Sequence, residues 1–160
     1  MPLDILMRAD SPISSLLDAV TTELIRLRCA RQHDCRICQT LRLASAAELG
    51  ADDALTDQVD HYESSDLSER HKVALRIVDA FIWRPTDIDD ALVQQARIHF
   101  TDDELAELLV DITKWSTQKI HVALGTDGAD RLPVNARGIS YLVFEEDGRV
   151  AAMSAELPPR

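Results

Sequence analysis

Residues 12–31 read PISSLLDAVTTELIRLRCAR, with apolar side chains at Ile13, Leu16, Leu17, Val20, Leu24 and Leu27. Steps of three and four residues place all six on one stripe of an amphipathic helix. Ser11 is suited to cap it and Pro12 to occupy its first position, so a helix is expected from Pro12 to about Arg31. Further along, Asp34 reads as the N-cap of a second helix ending near Leu49, before Gly50. Ala51 to Tyr62 forms a short third helix, followed by the polar loop Glu63-Ser-Ser-Asp66. A fourth carries Val73, Ala74, Ile77, Val78, Phe81 and Ile82 and stops at Arg84-Pro85, because the residue before a proline is pushed out of the helical region. Thr86 can cap a fifth over Ile88 to His99. Thr101-Asp-Asp-Glu104 is a capping-box pattern that opens a sixth helix, closing at Gly125.

Composition agrees with helix on helix. Hydrophobic residues are 46% of the 160 and charged residues 28%, a globular balance, while aromatics are only 4%. The core must therefore be built from Leu, Ile, Val and Ala, which favours an all-α bundle of about six helices. The last 35 residues differ. Gly125-Thr-Asp-Gly128 and Leu132-Pro133 punctuate a loop, Ile139 to Phe144 reads as a strand, and Arg149 to Met153 as a second strand after a turn. The expected organisation is a helical domain over residues 1–125 and a hairpin-like extension over 126–160. An isolated hairpin is marginal in water, so it must pack on the bundle or on a neighbouring subunit.

The formal charge is -11, from 17 basic and 28 acidic residues. An acidic surface argues against nucleic acid and against anionic membranes as partners. No apolar run is long enough to span a bilayer and the N-terminal residues lack a secretory pattern, so a cytoplasmic location is expected. In a reducing compartment a cysteine pair is more often catalytic or metal-binding than structural.

That pair is Cys35-Arg36-Ile37-Cys38. On the first turn of a helix, sulfurs three residues apart share a face and reach disulfide distance, and the helix N-terminus stabilises a thiolate. A helical wheel places Arg42 between the two cysteines, and Arg26, Arg28, Arg31 and Arg36 crowd the same segment. The same residues also read as core hydrophobes beside a solvated basic face. Glu23 lies at the edge of the apolar stripe, beside Val20 and Leu27. A carboxylate half-buried there has its pKa raised toward a range useful for proton transfer, or else snorkels to solvent. Cys29, His33, Cys35 and Cys38 can be imagined around zinc, yet Cys29 projects away from the stripe and no second paired-ligand motif exists. Neither metal nor cofactor is expected.

Glu23, eleven intervening residues and Cys35-x-x-Cys38 together resemble the core of the carboxymuconolactone decarboxylase/AhpD-like superfamily. Leu67-Ser-Glu-Arg-His-Lys-Val-Ala-Leu75 is similar to a downstream stretch of that family, as is Phe100-Thr-Asp-Asp-Glu-Leu-Ala-Glu-Leu108 with its helix closing at Ala123-Leu-Gly125. The resemblance covers residues 15 to 125 and implies an all-α fold that assembles into homo-oligomers, commonly trimers or hexamers. It implies that Cys38 attacks a peroxide, that Cys35 resolves it as a disulfide, that Glu23 belongs to a proton relay, and that a dithiol donor reduces the pair. One position departs. The family's His four residues after the second Cys is Arg42 here, which can hold a thiolate or polarise a peroxide oxygen but cannot pass protons near neutral pH. Two functions follow: a thiol–disulfide oxidoreductase acting on a peroxide or small disulfide, or a binding or structural relative that lost catalysis with the His.

Overall fold

A computed structural model of the chain describes residues 16–125, 132–145 and 149–158. Seven α-helices are present among them: α1 Ala19–Gln32, α2 Arg36–Thr40, α3 Ala44–Glu48, α4 Asp53–Thr56, α5 Glu69–Trp83, α6 Asp90–His99 and α7 Asp102–Ala123. Turns of 3₁₀ helix cover Asp57–Ser64 and Pro85–Asp87. Three short strands, β1 Leu41–Leu43, β2 Ser140–Phe144 and β3 Val150–Ser154, form one sheet in that order.

The central element is α1, which packs against α5 and α7. Leu24, Ile25 and Leu27 meet Val73, Leu75 and Val78 of α5 and Leu108, Ile112 and Trp115 of α7 in the main core. Covered on most sides, α1 also buries Thr21, Thr22, Glu23 and Arg26, so its interior face is not purely apolar. Ser68 caps α5, and the capping box of Thr101 and Glu104 at the head of α7 is present as the sequence indicates.

Several expected elements begin, end or break elsewhere, the third helix among them, which is α4 followed by 3₁₀ turns rather than one helix over Ala51 to Tyr62. Residues 12–15, with the Ser11 cap, lie outside the described residues, and the helix does not run through Leu16 and Leu17. Their N–H groups donate to Glu107 of α7 at 3.0 and 3.2 Å, and Asp18 caps a helix beginning at Ala19 by accepting from Thr21 N–H. Asp34 is not an N-cap. It adopts φ 49°, the left-handed region, while Asp34 N–H donates to Arg31 O and Cys35 N–H to Ala30 O. This is the bonding pattern of a Schellman motif closing α1, and Asp is one of the few side chains that tolerates the position. Asp89 rather than Thr86 caps the fifth predicted helix, accepting from Leu92 N–H at 2.8 Å.

One correction bears on the site. The second predicted helix is broken at residues 41–43 by β1, which pairs in parallel with β2 in the register Leu41 with Ser140, Arg42 with Tyr141 and Leu43 with Leu142. The fold is therefore mostly helical with a small sheet, not all-α. The predicted hairpin forms, β2 antiparallel to β3 with an irregularity at Val143/Phe144. Its first strand shares the sheet with a strand from the helical part of the chain.

Candidate active site

Cys35 follows the left-handed Asp34 and is itself the N-cap of α2, its Sγ accepting Cys38 N–H at 3.3 Å. Cys35 and Cys38 are at disulfide distance, with their Cα atoms 5.4 Å apart. The two sulfur-bearing residues differ in access. Cys35 is 3% exposed, whereas Cys38 is only partly buried. Around them lies a second apolar cluster of Ile37, Leu41 and Leu142, with Val122, Phe144, Val150 and Met153 packed against it. The C-terminal hairpin is thus the wall over the cysteine pair. No local signal could have shown this, because its residues lie about a hundred positions downstream.

Beneath the pair is a buried polar network. Glu23 and Arg26 are each 1% exposed and bonded bidentately, Nε to Oε2 at 2.8 Å and an Nη to Oε1 at 2.9 Å. The same guanidinium donates to Cys38 O at 3.1 Å and Leu41 O at 2.6 Å. Leu43 N–H donates to Glu23 Oε1 at 3.3 Å. Glu23 is therefore one step from Cys38, through Arg26. The sequence placed Arg26 among the arginines crowding the cysteine segment but not with Glu23, although the three-residue spacing of the two was a signal for this pair.

Arg42 does not lie between the cysteines on a helix, since it belongs to β1. It is 5% exposed and donates to Gln39 O at 2.7 Å and Leu41 O at 2.9 Å, while its buried Nε finds no partner among the described residues. A helix ends with carbonyls that have no partner within the helix. Arg26 and Arg42 supply donors to Cys38, Gln39 and Leu41, so both guanidiniums hold the C-terminal end of α2. Burial, and next the charge of Arg26, draw Arg42 below the usual guanidinium range.

The other arginines around the pair are largely committed. Arg28 binds both oxygens of Asp79 at 2.7 Å, and Arg31 pairs with Asp60. His33 Nε2 lies 3.0 Å from Ser116 Oγ of α7. Cys29 faces the main core rather than away from it, at 1% exposure, and burial pushes its thiol far up. Such a thiol is inert as a nucleophile. Among the described residues no three or more His, Cys, Asp or Glu side chains group as metal ligands. No helix among them is long and apolar enough to cross a membrane.

No family model matches this chain. Two proteins of Mycobacterium tuberculosis, one from strain CDC 1551 / Oshkosh and one from strain ATCC 25618 / H37Rv, are each 42% identical to it over 112 residues, and both are described only as uncharacterized. The match takes in 69% of this chain but 39% of each relative, so the chain spans well under half the length of the curated relatives it matches.

Proposed function

We propose that the chain is a thiol–disulfide oxidoreductase of the carboxymuconolactone decarboxylase/AhpD-like type, acting in a reducing compartment. The observation that carries this reading is the asymmetry of a pair already at disulfide distance: Cys35 sealed at a helix N-cap, Cys38 reachable. In the proposed cycle the Cys38 thiolate attacks one oxygen of a hydroperoxide. The O–O bond breaks, the alcohol leaves with a proton, and Cys38 becomes a sulfenic acid. The Cys35 sulfur then attacks Cys38 Sγ, water departs, and the Cys35–Cys38 disulfide forms. A dithiol donor reduces that bond and is itself oxidised to a disulfide, which returns both thiols. With a small disulfide as substrate the first step is thiol exchange instead. The N–H of Cys38 and the N-terminus of α2 favour a thiolate on Cys35, the sulfur that attacks in the resolving step, while Arg42, like Arg26, holds the end of the helix that carries Cys38. Glu23 acts by fixing Arg26, which in turn holds Cys38.

The test uses the full chain, reduced and supplied with a hydroperoxide and a dithiol. Cys38→Ser should abolish turnover. Cys35→Ser should stop after one turnover, with Cys38 trapped as a sulfenic acid by a dimedone-type reagent. Full activity in Cys38→Ser would sink the proposal. Assembly as a homo-oligomer, a trimer or hexamer, belongs to the same reading, and a monomer mass by light scattering at micromolar concentration counts against it. A binding or structural role is favoured by one observation. Arg42, which stands where the family has its His, turns its Nη1 to two backbone carbonyls.

A further inference from the structure

Trp83, at the end of α5, is 66% exposed, yet its position is fixed. Its indole Nε1–H donates to Gln32 Oε1 at 2.7 Å, and Gln32 Nε2 donates to Asp79 Oδ1 at 2.9 Å. Asp79 is held in turn by both Arg28 bonds and by the Tyr62 hydroxyl at 2.9 Å. A chain of hydrogen bonds thus anchors an indole that buries little of its own surface. A large aromatic side chain left in water forgoes one of the largest apolar burials available to a residue. Rigid exposure of this kind is a feature of binding surfaces.

The indole borders a cavity of about 540 Å³ between the end of α1, the outer face of α5 and the start of α6. That volume is within the range of roughly 300–1,000 Å³ typical of small-molecule sites. Because the indole N–H is already bonded, the ring offers a ligand its π face rather than a donor. The charge around the opening is negative. Asp79, Asp87 and Asp89 line it, with Arg76 the one cation among the lining residues. Of the nearby cations, Arg28 is committed to Asp79, Arg84 to Asp87, and Arg76 to Glu63 and Glu69 at 2.6 Å each. Five carboxylates stand against three arginines, and Asp89, which caps α6, has no cation among the ion pairs of the described residues.

We propose that this cavity binds a small organic cation, an alkylated ammonium compound whose charged head lies over the Trp83 ring and toward Asp89. A ring quadrupole and a nearby carboxylate attract such a head together, while its alkyl groups fill the space beside Ala80 and Leu92. The site is separate from the cysteine pair and does not depend on redox activity.

The probe is choline, compared with its neutral carbon isostere 3,3-dimethylbutan-1-ol, on the full chain. Binding is read by calorimetry and by the NMR shift of the Trp83 indole N–H. Choline should saturate, and the isostere should bind roughly 3- to 30-fold more weakly, the range expected of a cation–π contact. Trp83→Leu should remove the choline heat. Asp89→Asn retains a good N-cap residue and should still weaken choline several-fold through lost charge alone. Equal binding of the isostere, no saturation by choline, or unchanged binding in both variants would overturn the site. A change of solution mass in Trp83→Leu without any choline response would also overturn it, in favour of a second copy of the chain against the ring.

Discussion

Glu23 and Arg26, one turn apart on α1, are both closed to solvent, so each depends on the other for charge balance. Removing one member of a buried pair leaves the other uncompensated, at a cost of about 3–5 kcal/mol. Arg26→Met should therefore destabilise the fold by about that much, and it also strips donors from Cys38 O and Leu41 O. Glu23→Gln should cost less, since an amide still serves Leu43 N–H. The double variant should be more stable than the sum of the single losses implies, by more than about 1 kcal/mol of coupling. Urea unfolding of the four proteins checks this, and strict additivity would show that the two groups do not act as a pair. The sequence placed Glu23 at the edge of an apolar stripe, a position open both to half-burial and to solvent, and the structure closes it off completely. The sequence did not show which groups the carboxylate would meet, because Leu43 N–H becomes a donor there only once the chain turns into β1.

Helices α5 and α7 were legible because their apolar residues recur with the helical period, and Thr101 marks where α7 begins. The hairpin was legible from its alternating strands and turn. Strand β1 was not. Leu41-Arg-Leu43 is three residues long, fits a helical period as well as an extended one, and is fixed by Ser140 to Leu142 far along the chain. Missing it misplaced Arg42 and hid the wall over the cysteines. Leu142 is the centre of that wall, 1% exposed and packed with Cys35, Ile37 and Leu41. Leu142→Ala should cost about 2–5 kcal/mol and open the cover. The checking measurement is the rate at which dithiothreitol reduces Cys35–Cys38 under conditions where the variant remains folded. Leu108→Ala, a comparable deletion in the main core, is the control. Faster reduction in Leu142→Ala but not in Leu108→Ala is expected, and equal rates would remove the hairpin's covering role.

For the molecule as a whole, a net charge of -11 at pH 7 means that raising the pH adds like-charge repulsion throughout the folded state. Asp111 concentrates a related effect at one buried point. It is 0% exposed on α7, Oδ1 lies 3.1 Å from Lys114 Nζ, and Oδ2 has no partner among the described residues. Burial raises its carboxyl above the ordinary value, Lys114 opposes that shift, and Glu107 one turn earlier adds to it. A group whose folded pKa lies above its unfolded pKa binds its proton more tightly in the native state. Below the unfolded value, about 3.9, both states are protonated and Asp111 costs nothing by this route. As the pH rises through that value the unfolded chain ionises first, and native stability falls until the folded group ionises as well. Asp111→Asn removes the titration and keeps the shape. The attraction of Lys114 grows as Asp111 ionises and is already contained in the net upward direction of the shift. The overall repulsion is common to both proteins and cancels from the difference. The variant should therefore gain stability relative to the parent as the pH is raised from about 4 toward neutrality. Urea midpoints for both proteins across that range give the slope of the difference. A flat or reversed slope would mean that Lys114 offsets the burial completely and that Asp111 is as well accommodated charged as protonated.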